Sequence, residues 1–364
     1  MAGYLDGDGH IEITETELPI TISGITRNLS APSNMSGRIT NAVRRLKRAG
    51  RPIFEPRNTV VLAEASGFIR GLGIYQKPTF TGADWDVAIT GLGGYLTGQP
   101  YVGEKEYINA DPLDIFRDAW ANAQFQPRGN IGVTIDALKS PVRVGKPKEA
   151  VEFTTGGGES VSFDAGPRKL NWYQTLDLGR EIDDYAKETP FDWLEHAYWL
   201  GDEPRCHIKL GYPTIGHRAE HLSFVLGENL ASEPGHSTSD FFNEVHVLGA
   251  GEGRDRIRGY DAISDGRLRW AKTIEDKSAD TVAKANTAAR ELLRRSRGEL
   301  VVDTLRVYDH SNARLEAIEL GTEVWLQAET SWNEIEQWVR VVGRTDAPGR
   351  SDVAEFVVVR SAVV

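Results

Sequence analysis

His10-Ile11-Glu12-Ile13-Thr14-Glu15-Thr16-Glu17-Leu18-Pro19-Ile20-Thr21-Ile22-Ser23-Gly24 alternates apolar and polar side chains with a period of two. Alternation of this kind sends one set of side chains to each face of a strand. Pro19 has no N–H for a ladder, so it marks an edge or a break. The pattern recurs outward from this stretch. Val60-Val61-Leu62 and Gly67-Phe68-Ile69-Arg70-Gly71-Leu72-Gly73-Ile74-Tyr75 flank a turn at Glu64-Ala65-Ser66-Gly67, and Trp85 to Gly91 alternates again. Short strands punctuated by glycine predict a small antiparallel barrel or sandwich over roughly residues 10–100. Between them, Arg38, Arg44, Arg45, Lys47, Arg48 and Arg51 form a basic run, expected to be a solvated helix or loop face.

Two helix starts follow. Asp111 is placed to cap, Pro112 takes the first helical position and Asp114 lies in the first turn. Leu113, Phe116, Trp120 and Ala123 recur at helical spacing up to Gln126-Pro127-Arg128-Gly129. Thr189-Pro190-Phe191-Asp192 has the same form, predicting a helix with Trp193, Leu194, Ala197, Tyr198 and Leu200 on its apolar side and Gly201 at its end. A polar insertion with the loop Gly156-Gly157-Gly158 separates the two. Strands return at Cys206–Leu210, Leu222–Gly227 and Asn243–Leu248. A long helix capped by Asp276 or Ser278 runs to Arg297, with Gly298 after it and Val282, Ala285, Ala289, Leu292 and Leu293 as its stripe. The remainder is strand: Val301 to Val307, Leu320 to Leu326, Trp338 to Arg344, and Phe356 to Arg360 after a Pro348-Gly349 turn. This is enough for a second small barrel.

The expected class is therefore α+β, β-rich and multidomain: two small antiparallel β-barrels with intervening α+β parts. The segments divide as an N-terminal barrel domain (1–105), a central α+β domain (106–240) with a polar insertion near 137–170, a strand and long helix (241–300), and a C-terminal barrel-like domain (301–364). The 364 residues exceed what one core usually supports. Thirty-seven glycines and 16 prolines argue against an all-helical fold. With 42 basic and 53 acidic side chains the net charge is −11, a field that repels nucleic-acid phosphate. A lone cysteine, Cys206, excludes an internal disulfide. No apolar run is long enough to span a membrane, and Met1 to Asp8 lacks the form of a secretory signal.

Several motifs suggest chemistry. Met1-Ala2-Gly3-Tyr4-Leu5-Asp6-Gly7-Asp8-Gly9 resembles the signature of LAGLIDADG homing endonucleases, where it ends a helix and its last acid, here Asp8, binds a metal at the scissile phosphate. The resemblance is limited, because almost nothing precedes Gly3 and no second copy follows. As a calcium loop the stretch places Tyr4 where the first carboxylate belongs. His217-Arg218-Ala219-Glu220-His221 has the order of an inverted zinc-protease motif, which needs a helix to bring both histidines to one face. Pro213 and Gly216 before it and Leu222 to Gly227 after it indicate strand instead. Gly249-Ala250-Gly251-Glu252-Gly253 follows a strand like a dinucleotide fingerprint, but Arg256 to Tyr260 alternates as a second strand. Gly91-Leu92-Gly93-Gly94 is weaker, and Cys206 beside His207 has no supporting signature. No catalytic, cofactor-binding or metal-ligating residue is expected, and no cofactor. The endonuclease using Asp8 is the alternative reading, with a zinc hydrolase using His217 and His221 third.

The order of segments resembles the baseplate hub, or minor tail, proteins of siphophages that infect actinobacteria. The resemblance rests on Ser23-Gly24-Ile25-Thr26, Phe54-Glu55-Pro56-Arg57-Asn58-Thr59-Val60-Val61-Leu62, Gly67 to Ile74, and Gly91-Leu92-Gly93-Gly94-Tyr95-Leu96. It continues through Asp111 to Phe116, Thr189 to Trp193, Asn243 to Gly253, the arginine-rich helix to Arg297 and the Leu320-Gly321 strand, across nearly the whole chain. It implies a structural virion protein at the tail tip, assembled in the host cytoplasm. It also implies a homotrimer whose two barrels per chain form a pseudo-six-fold ring. Its implied partners are the distal tail protein ring, the tape measure protein and other minor tail or receptor-binding proteins. Viral DNA would be met only in transit through the channel. Met1 to Gly9 and the Gly156-Gly157-Gly158 insertion fit no part of that pattern.

Overall fold

The computed structural model describes residues 1–361 except 19, 41–46, 49, 77–78, 82–83, 146, 148, 155–159, 166, 190, 239–240, 265, 278, 280, 296–299, 331–333 and 348. The strands run β1 (Ala2–Leu5), β2 (Ile11–Glu15), β3 (Ile20–Asn28), β4 (Asn34–Thr40), β5 (Lys47–Arg48), β6 (Arg51–Pro52), β7 (Thr59–Ala65), β8 (Phe68–Tyr75), β9 (Thr79–Thr81), β10 (Asp84–Gly91) and β11 (Glu104–Tyr107). Helix α1 (Pro112–Gln124) precedes β12 (Val133–Ile135), β13 (Glu149–Thr154), β14 (Ser160–Ala165) and β15 (Arg168–Asn171). Helix α2 (Leu178–Glu188) leads to β16 (Asp192–Leu200), β17 (Glu203–Gly211), β18 (Arg218–Val225), β19 (Gly235–Thr238), β20 (Glu244–Leu248), β21 (Arg258–Ala262) and β22 (Ala271–Glu275). After α3 (Val282–Arg295) come β23 (Leu300–Tyr308), β24 (Glu323–Glu329), β25 (Glu334–Asp346) and β26 (Val353–Arg360). The chain divides into two compact units, one of 1–148, 166–234 and 304–364, the other of 149–165 and 235–303.

In the larger unit the period-two stretches pair as antiparallel strands. One path runs β26-β25-β3-β4-β10-β8-β7-β1-β2. The turn between β7 and β8 has Ser66 at φ 55° and Gly67 at φ 79°, the pair of positive angles that a tight two-residue hairpin needs. The strand-rich α+β class matches the sequence expectation, whereas closure into two separate barrels does not appear in the ladders among the described residues. The N-terminal and C-terminal strands share one sheet through the pairing of Thr26 with Thr345 between β3 and β25. The C-terminal strands nevertheless curl. β18 lies parallel to β24, and bridges from Leu226 to Leu230 and from Leu230 to Val307 link the β18 end to β23. Inside this curl Phe224 and Phe356 stack at 5.7 Å, both fully buried.

Helix α1 forms as its start predicts: Asp111 Oδ1 accepts from Leu113 N at 2.9 Å, and Leu113, Phe116, Trp120 and Ala123 are buried. The second predicted helix does not form. Residues 192–200 are β16, paired with β17 from Asp192↔Gly211 to Leu200↔Glu203. The same apolar residues serve either period, and the choice falls to the hairpin at Gly201 (φ 63°), which gives β16 a partner strand along one edge from Asp192 to Leu200. Pro190 lies outside the described residues. The helix preceding this strand is α2, capped by Asp177, whose Oδ1 accepts from Arg180 N at 3.2 Å. Of the basic run, Arg44 and Arg45 lie outside the described residues, while Arg38 sits on β4 and pairs with Asp86 at 3.0 Å.

The smaller unit holds the β13–β14 hairpin and a mixed sheet, β21-β20-β22, with α3 on one face. Gly156, Gly157, Gly158, Ser278, Arg297, Gly298 and Pro348 lie outside the described residues. Helix α3 starts later than expected. Asp276 is not at its first turn, and the Thr281 hydroxyl accepts from Lys284 N at 3.3 Å instead. Ala285, Ala289 and Leu293 face Val245 and Val247, while Val282 is exposed. The helix crosses β21 directly over Gly259, where an added Cβ would lie 2.3 Å from the Ala285 carbonyl carbon. Gly259→Ala is therefore expected to destabilise this unit by about 1–3 kcal/mol, the usual cost of overpacking. Urea denaturation followed by far-UV circular dichroism checks it; an unchanged midpoint would contradict the crossing.

Candidate interaction surface

The residues singled out by motif do not assemble into a reactive group. Ala2 to Leu5 is strand, paired with β2 and β7, so the helix that an endonuclease signature requires is replaced by a hairpin. Asp8 is an exposed turn residue, its N–H held by Asp6 Oδ1 at 2.7 Å and its carbonyl accepting from Asn130 at 3.0 Å. His221 lies on β18 and His217 just before it, on extended chain that does not stack them one helical turn apart. Cys206 and His207 alternate to opposite faces of β17. The thiol is buried, and that burial together with Glu195 pushes its pKa well up, while His207 is held between Asp136 and Thr134, each at 2.8 Å. Gly249 to Gly253 leads through a single 3₁₀ turn (Gly253–Asp255) into β21 rather than into an α-helix. Among the described residues no three His, Cys, Asp or Glu side chains are grouped to hold a metal ion. No helix among them is long and apolar enough to cross a membrane.

What the larger unit does present is an exposed apolar surface on a tightly pinned frame. β11 and β15 pair, Tyr101 N donates to Thr175 O at 3.0 Å, and Trp172 N donates to Gly103 O at 2.9 Å. Asn171 is buried and anchors the turn that follows, its amide donating to Tyr173 Oη at 3.0 Å and Gln174 Oε1 at 3.2 Å. The Asn122 side chain brackets Val102, accepting from its N–H at 2.9 Å and donating to its carbonyl at 2.8 Å. Beneath the frame Tyr101 and Tyr107 both donate to Asp118. Burial first, and the Asp118 charge second, push the Tyr101 pKa up to about 12, so it stays a donor.

On this frame stand Trp172 (60% exposed), Tyr173, Leu176 (68%) and Val102, with Phe125 (89%) at the end of α1, three residues beyond Asn122. Trp172 and Tyr173 meet edge to face at 5.5 Å, and the Trp172 indole donates to Glu104 at 3.1 Å. Large side chains held rigidly in water lose little entropy on being covered, so such a patch is suited to anchoring a partner protein. Sequence reasoning missed it. The adjacent pair Trp172-Tyr173 is the one signal that pointed there. Trp172→Ser combined with Leu176→Ser is expected to change stability by no more than about 0.5 kcal/mol. Were this surface to carry an association of the chain, the same pair of changes would weaken it by at least tenfold, read by sedimentation velocity over a dilution series, whereas unchanged association would exclude the surface from that role.

No family model matches the sequence, and no curated protein does. Solved structures do. The 43 kDa tail protein of prophage MuSo2 from Shewanella oneidensis is similar over 93% of this chain and 93% of its own, with a TM-score of 0.55 and 13% identity. The tail protein from Neisseria meningitidis MC58 is similar over 94% of this chain and 97% of its own, with a TM-score of 0.53 and 12% identity. The chain has the fold of these tail proteins. The large antiparallel sheet matches that fold, and at this identity it is built with largely different side chains.

Proposed function

We propose that the chain is a structural protein of a phage tail, and more specifically the tail-tip baseplate hub. The observation that carries the reading is the fold shared with two tail proteins along nearly the full length of each chain. In this reading residues 1–105 and 301–364 supply the two barrel-like domains and 106–240 and 241–300 the α+β parts. Three copies form a ring that joins the tail tube and tape measure to adsorption proteins. The work is assembly, with no catalytic, cofactor-binding or metal-ligating residue and no cofactor. Its neighbours are the distal tail protein ring and other minor tail or receptor-binding proteins, and assembly takes place in the host bacterial cytoplasm. DNA crosses the ring only in transit, and a net charge of −11 suits a wall that does not hold it. The exposed surface around Trp172 supports the reading, since a ring subunit needs rigid apolar contacts. Immunogold labelling of virions that carry the protein tests the placement: gold at the tail tip is expected, and gold along the shaft or none on the virion would overturn it.

A further inference from the structure

A groove of about 500 Å³ opens on the outward face of β24 and β25. Trp325 and Trp338 line it, directly opposite in register, with rings 5.5 Å apart at 67°. The Arg218 guanidinium lies 4.7 Å from the centre of the Trp338 ring, and its Nε donates to Glu323 at 2.9 Å. The Ser361 hydroxyl donates to the other Glu323 oxygen. Partial burial works to raise the Glu323 pKa, but these two donors outweigh it and hold it below the ordinary range. Arg218 and Glu323 therefore neutralise one another. Glu336, Gln337 and Arg360 complete the walls, again with one charge of each sign.

One atom in this wall is out of balance. The Gln337 side-chain nitrogen is buried and has no acceptor among the described residues. A buried donor left unpaired costs about 1–3 kcal/mol, and each one in a folded protein calls for an explanation. Gln337 lines the groove, so a turn of its side chain would present this nitrogen to an acceptor oxygen there. The balanced charges offer no net field to a phosphate or other polyanion. An extended peptide could not add to β24, because that strand is flanked by β18 and β25. Two indoles, polar groups of both signs and an amide donor instead fit a ring compound with apolar C–H faces and neutral hydroxyls. The volume also lies within the range of about 300–1,000 Å³ usual for small-molecule sites.

We propose that this groove binds a neutral saccharide, its C–H face against the tryptophans and a hydroxyl oxygen accepting from Gln337. The proposal stands apart from the tail-hub reading, because it depends on neither the oligomer nor the virion. The test uses the full chain labelled with ¹⁵N at the tryptophan indoles, nine in all, titrated with maltohexaose, cellohexaose, chitohexaose and xylohexaose. At least one sugar is expected to give saturable shifts of two indole signals, assigned through Trp325→Phe and Trp338→Phe. Gln337→Leu is expected to weaken that binding at least tenfold with an unchanged circular dichroism spectrum. Silence from all four sugars, shifts confined to other indoles, or full affinity in Gln337→Leu would each overturn the proposal. So would a polyproline decapeptide that moves the two indoles when no sugar does.

Discussion

Arg340→Ala is expected to destabilise the larger unit by about 3–5 kcal/mol, the range for breaking a buried ion pair by removing one partner. Arg340 on β25 pairs with Asp192 on β16, their side chains 16% and 13% exposed. The guanidinium also donates to the carbonyls of Ile215 at 2.8 Å and Gly321 at 3.3 Å. Asp192 in turn accepts from Ile215 N at 2.8 Å and from the Ser30 hydroxyl at 3.3 Å. Five stretches of the chain, at Ser30, Asp192, Ile215, Gly321 and Arg340, thus meet at one pair of charges, and alanine leaves the carboxylate short of its counter-ion. Asp192→Ala removes the other half. The double variant is expected to lose less than the sum of the two, because neither charge is then stranded. Urea denaturation followed by tryptophan fluorescence reads all three. A loss below about 1 kcal/mol for Arg340→Ala, or strict additivity, would mean the pair behaves as an exposed one.

Glu195→Ala is the second large effect, about 2–4 kcal/mol, from backbone donors left without an acceptor. Glu195 lies three residues further along β16. One carboxylate oxygen accepts from Ser33 N at 2.9 Å and the Ser33 hydroxyl at 2.7 Å, and the other from Gly93 N at 2.7 Å. There is no room for a side chain at Gly91, where a Cβ would lie 2.3 Å from this carboxylate. The strand is thereby fixed to the loop before β4 and to the short helical turn after β10. Burial raises the Glu195 pKa, with the hydrogen bonds from Ser33 and Gly93 opposing it. A folded-state pKa above the unfolded one means the folded chain binds more protons between the two values. Stability then falls as pH rises out of the ordinary glutamate range. Glu195→Gln, fixed as neutral, is expected to lose that slope while still destabilising, since its amide nitrogen cannot accept. Urea midpoints measured from pH 4 upward check the sign; a steeper slope in the glutamine variant would contradict it.

Both nodes sit on β16, the element whose secondary structure the sequence disguised. Thr189-Pro190-Phe191-Asp192 has the chemistry of a helix start, and Trp193, Leu194 and Ala197 suit either period. Only the β17 partner, beyond Gly201, decides for strand. Elsewhere local chemistry sufficed. Asp111-Pro112 made α1 legible through its cap, and the alternation at residues 10–24 made β2 and β3 legible through burial of one face. The share of one sheet by both chain ends was not legible, because the Thr26–Thr345 pairing spans most of the chain. Nor was the candidate surface. Trp120 stands at helical spacing with Leu113, Phe116 and Ala123, which marks it as buried, whereas the exposed Trp172 is marked only by its neighbour Tyr173. Composition does not say which tryptophan is left for a partner.

We infer that this chain works as a subunit of a closed ring, and its mass in solution decides for or against that. Size-exclusion chromatography with light scattering, run with and without the distal tail protein of the same phage, is the measurement. Three chains of 40.3 kDa, about 121 kDa, are expected alone or within the complex. A species that stays at 40.3 kDa and ignores the partner ring would contradict it.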